Sequence, residues 1–101
     1  MAKVIFSVQY EISSGKKEEY FGVVKELKNL LKADGLDDYT VYEVKGKPNH
    51  YQEIYTFLSS EAFDQFDDNQ DERLNILINK LNDLTTENST KYTTLYEVTE
   101  I

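Results

Sequence analysis

The sequence predicts an α+β domain of order βαββαβ, with a four-stranded antiparallel sheet and both helices on one face. Three observations carry this. From Lys3 to Ile12, Val4, Phe6, Val8, Tyr10 and Ile12 alternate with Ile5, Ser7, Gln9 and Glu11. That period of two marks a strand with one apolar and one mixed face. Two later segments space their apolar residues for helices, and a short turn joins two further strand-like runs into a hairpin.

Each element follows in order. Ser13-Ser14-Gly15 ends the first alternation, and either serine can accept hydrogen bonds from the free amides of a following helix. Tyr20, Val23, Val24, Leu27, Leu30 and Leu31 then form one apolar stripe, predicting a helix over about Lys16 to Ala33. Gly35 is placed to close it in a left-handed conformation. Tyr39 to Lys45 is the second strand, with Tyr39 and Val41 on one face and Thr40, Tyr42 and Val44 on the other. Gly46-Lys47-Pro48-Asn49 is a turn, and Tyr51 to Leu58 is an aromatic and β-branched third strand.

Ser59-Ser60 reads as the cap of the next helix, which begins at Glu61-Ala62-Phe63. Phe63 and Phe66 precede a polar run, Asp67 to Glu72, and the stripe resumes at Leu74, Leu77, Ile78, Leu81 and Leu84. The clustered acidic residues favour a break near Asp67–Gln70. After a loop, Tyr92, Thr94, Tyr96 and Val98 alternate with Thr93, Leu95, Glu97 and Thr99 in a last strand.

The 101 residues suit a single domain with one two-layer core. A net charge of −8 repels phosphate backbones, so nucleic acid is not an expected partner. No apolar run approaches the ~20 residues of a membrane span. Met1-Ala2-Lys3 leads straight into strand-like sequence, so no signal peptide is expected. The chain has no Cys, which excludes disulfides, thiolate metal sites and cysteine nucleophiles and fits a cytoplasmic protein.

This order suits the ferredoxin-like arrangement, whose helices cover the Val4–Ile12 apolar face. The mixed face has no cover within the chain, so a homodimer through facing sheets is expected. The run Tyr10-Glu11-Ile12-Ser13-Ser14-Gly15-Lys16-Lys17-Glu18-Glu19-Tyr20-Phe21 resembles the strand-to-helix lead-in of dimeric α+β barrel proteins, among them the antibiotic-biosynthesis-monooxygenase-like group. Ile54 to Phe63 resembles that group's third strand and second-helix start, with Phe57 where many members have Trp. The resemblance implies a homodimeric barrel with a small-molecule cavity and no single activity. The haem-degrading members use an Asn on strand one, a Trp and a helical His. Here stand Gln9, no Trp, and no His on either helix, so no haem and no other cofactor is expected.

The candidate ligand-binding residues are Ser7, Gln9 and Glu11 on the first strand, with Tyr42, His50 and Glu97. The plainer reading of the strand residues is pairing across the dimer interface. His50, the sole histidine, is either a solvated loop residue or a base at the barrel mouth. Asp67, Asn69 and Asp71 imitate half a calcium loop, but Glu72 and Ile78 replace its Gly and its bidentate Glu, so no metal is expected. Two functions remain. One is a ligand-binding or purely structural dimeric barrel. The other is a cofactor-independent monooxygenase of an aromatic or polyketide-like substrate, with Glu11, His50 or a Tyr as base. A closed, mostly apolar cavity of ~300 Å³ or more would favour ligand chemistry.

Overall fold

The structure is a computed structural model that describes residues 2–31, 35–68 and 72–101, with backbone alone for Asp67 and Asp68. The strands are β1 (Val4–Glu11), β2 (Leu36–Glu43), β3 (His50–Phe57) and β4 (Lys91–Tyr96); the helices are α1 (Lys17–Leu30), α2 (Ser60–Asp68) and α3 (Glu72–Leu84). The strands form one antiparallel sheet in the order β2-β3-β1-β4. This is the expected ferredoxin-like arrangement. Its second helical segment consists of two spans, and residues 69–71 between them, with the half calcium loop they would complete, lie outside the described residues.

Register places the side chains. Val4, Phe6, Val8 and Tyr10 oppose Phe57, Tyr55, Glu53 and Tyr51. Tyr39 and Val41 oppose Tyr55 and Glu53 from the other side of β3. This face lies under the helices. Tyr20, Val23, Val24 and Leu27 of α1 pack with Leu74, Leu77, Leu81 and Leu84 of α3 over it. Phe63 and Phe66 of α2 meet Phe57 with ring centroids 5.3 and 5.2 Å apart.

The local signals differ from expectation at α1. Lys16 is its N-cap and no side chain caps it, because the Ser13 carbonyl instead takes the Lys16 amide in a backbone turn. The helix ends at Leu30, since Leu31 has turned to φ −78° and ψ 74°. Gly35 does take a left-handed φ of +84°, but it stands just before β2, where its carbonyl accepts the Leu58 amide. Ser59 caps α2 as read, its hydroxyl accepting the Ala62 amide at 3.2 Å.

Leu27 and Leu77 are fully buried. Leu27→Ala or Leu77→Ala should therefore cost ~2–5 kcal/mol in chemical denaturation. Gly35→Ala should also destabilise, because the new Cβ would collide with Ala62 and the left-handed φ disfavours a side chain. A midpoint unchanged by Leu77→Ala would contradict the helix faces described here.

Candidate functional site

The six residues singled out from sequence lie away from the helix-covered layer. Ser7 accepts a 2.6 Å bond from Gln52 Nε2 across β1 and β3. Gln9 stands between Gln52 and Lys91, and Tyr42 is opposite Gln52 and more than half exposed. Glu11 and His50 pair at one end of β1, where Glu11 Oε1 accepts the Thr86 hydroxyl and the His50 Nδ1 bonds the Pro48 carbonyl. Glu97 is at the other end, ~25 Å along the strand, accepting the Lys3 amide. Ser7, Gln9 and Tyr42 thus share the middle of the open face, while Glu97 is remote from Glu11 and His50.

A second group emerges on the opposite face. Glu53, at the centre of β3, is 2% exposed. Its strand neighbours on that face are Val8 and Val41. Tyr39 is diagonal to it on β2, and Tyr55 follows two residues on along β3, so both hydroxyls reach the carboxyl. Tyr39 donates to Oε2 at 2.6 Å and Tyr55 to the same oxygen at 3.2 Å. Tyr10, diagonal to Glu53 on β1, bonds the Tyr20 hydroxyl of α1 at 2.9 Å.

Burial, with no cation at Glu53 among the described residues, decides the electrostatics. Desolvation pushes the Glu53 carboxyl above its ordinary 4.5, and hydrogen bonds from Tyr39, Tyr10 and Tyr55 oppose that rise without cancelling it. Burial, with the Glu53 charge next in weight, holds the hydroxyls of Tyr10, Tyr39 and Tyr55 far above the ordinary 10.0. They remain protonated donors throughout the physiological range.

Glu53 and Tyr10 border a cavity of about 210 Å³ between the sheet and α3. Its apolar walls are Phe6, Val8, Ile78 and Leu81. Tyr55, Phe6 and Tyr92 form a continuous aromatic strip across β3, β1 and β4, with centroids 5.6 and 6.1 Å apart. Asn82 and Tyr92 are exposed and mark its mouth. The volume lies below the ~300 Å³ at which drug-sized sites begin. A buried acceptor, fixed donors and an apolar wall can orient one small ligand and take or give a proton.

Glu53 did leave a signal in the sequence. It lies in phase with Tyr51, Tyr55 and Phe57, so period two assigns an acid to the apolar face.

A raised carboxyl pKa means the native state holds its proton more tightly than the unfolded chain. The stability this proton contributes is complete below about 4.5 and is lost as pH rises through the raised value. Glu53→Gln keeps an acceptor for Tyr39 and cannot titrate. Thermal melts from pH 4.5 to 8.5 should therefore show wild type losing stability relative to Glu53→Gln as pH rises. Parallel curves would contradict the assignment.

No protein-family model and no curated protein matches the chain. Solved structures do. A conserved protein from Methanosarcina mazei superposes with a TM-score of 0.83 at 17% identity, over 97% of this chain and 95% of that one. A variant of SnoaB, a cofactor-independent oxygenase from Streptomyces nogalater, gives 0.77 at 15% identity, over 98% and 95%. A proposed antibiotic biosynthesis monooxygenase from Deinococcus radiodurans gives 0.76 at 19% identity, over 97% and 94%. The chain therefore has the ferredoxin-like α+β fold found in antibiotic-biosynthesis-monooxygenase-like structures.

Proposed function

We propose that the protein is a cytoplasmic homodimeric α+β barrel that binds a small organic ligand in the Glu53 cavity. One observation carries the ligand reading: a buried carboxyl, with no cation beside it among the described residues, borders a cavity walled by aromatic and aliphatic side chains. A residue serving packing alone would be apolar there, since burying an unneutralised acid is costly. Ile5, Gln9, Gln52 and Ile54 on the open sheet face are only partly covered, and Tyr42 and Leu95 on the same face are exposed. That surface supports sheet-to-sheet dimerisation, with Ser7, Gln9 and Tyr42 at its centre. The same residues remain the candidates for any ligand held between the sheets.

A second reading has its own support. The SnoaB likeness and a buried carboxyl whose pKa desolvation raises fit a cofactor-independent monooxygenase. Glu53 would remove a phenolic proton, and the cavity would orient the substrate and exclude water. The cavity's volume would limit that substrate to one or two rings.

Light scattering after size exclusion should give twice the 11.8 kDa chain mass at micromolar concentration. A monomer would contradict the barrel. In amide and methyl NMR, a set of one-ring aromatic fragments should shift Phe6, Tyr55, Ile78 and Leu81; shifts confined to Ser7, Gln9 and Tyr42 would move the site to the sheet face. Oxygen uptake with one- and two-ring phenolic substrates tests the second reading, and no uptake across the panel would remove it.

A further inference from the structure

The ligand class follows from what the cavity lacks. Among the described residues, none of those lining it is Lys, Arg or His. The donors that reach Glu53 are neutral tyrosine hydroxyls. They can stabilise a carboxylate but cannot neutralise it. Ion pairs such as Lys3–Asp37, Lys16–Glu19 and Arg73–Glu26 lie on the surface. The wall beside the carboxyl presents the rings of Phe6, Tyr55 and Tyr92. Ring faces attract cations held within about 6 Å. A carboxylate at the base of an aromatic wall, inside a chain of net charge −8, is complementary to a small positive ligand.

Resting on the cavity reading above, we propose that the site takes a small organic ammonium ion carrying one aromatic ring, its charge paired with Glu53 and its ring against Phe6, Ile78 and Leu81. The ammonium supplies a counter-charge that none of the described lining residues offers, and its hydrogens find acceptors in the carboxyl. The volume admits one ring and a short chain. An anionic ligand finds no cation among the described lining residues and is repelled by Glu53 whenever the acid is ionised. Neutral alcohols of the same shape keep the ring contacts and lose the ion pair.

The test compares three ligands of nearly equal size by titration calorimetry and chemical-shift mapping: phenethylamine, 2-phenylethanol and phenylacetate. The amine should bind at least tenfold more tightly than the alcohol, with shifts at Phe6, Tyr55 and Leu81, and phenylacetate should not bind. Glu53→Gln should bring the amine down to the affinity of the alcohol. If that variant does not fold, the amine-to-alcohol ratio in the wild type decides alone. Alcohol binding equal to or tighter than amine binding in this cavity would overturn the ammonium assignment and leave the cavity reading standing. Binding of none of the three in the cavity would overturn both.

Discussion

A single acidic side chain sets the terms for the covered half of this molecule. Glu53 lies within the helix-facing layer, between Val8 and Val41, with the donors Tyr39 and Tyr55 on one of its oxygens. An apolar residue at that point would let the layer close as ordinary packing. The acid demands hydroxyls around it, and tyrosines are the residues that bring hydroxyls to a core while still filling it. This accounts for Tyr39 and Tyr55 at the carboxyl, within a buried group that also includes Tyr10, Tyr20 and Tyr51. The tyrosine network and the cavity beside it are two results of one placement.

The sheet works differently on its two sides. One face is closed by α1, α2 and α3 and holds nearly all the large buried side chains. The other carries short polar pairs such as Ser7 with Gln52, together with partly covered isoleucines. β4 is exposed along its length because the helices lie over β1, β2 and β3. A face of this kind suits a second sheet, since Ser7 and Gln52 are already paired within the chain and its apolar groups still lack cover.

The strands were legible because burial on one side imposes alternation. β1 and the hairpin of β2 and β3 fall within one to three residues of their expected limits. The stripe of α3 was equally plain, since Leu74, Leu77, Leu81 and Leu84 all meet the core. The end of α1 was less so. Leu31 fits the stripe by spacing, yet it is buried just after the helix has ended. The site escaped for a different reason. Polar residues on the mixed face drew notice as a group, whereas Glu53 stood alone in an aromatic run. Its meaning depends on cross-strand register, which brings Tyr39 and Tyr10 to it from two other strands. Sequence alone gives the face of a residue more readily than its neighbours across the sheet.

The most direct measurement is a carboxyl-carbon NMR titration of glutamate-labelled protein, with Glu53 assigned by its absence in Glu53→Gln. One glutamate should inflect well above 4.5, apart from the surface glutamates, and it should be the resonance that the substitution removes. A Glu53 signal that titrates among the exposed carboxyls would show that the acid is solvated, and the cavity, its ligand and the tyrosine network would lose their basis.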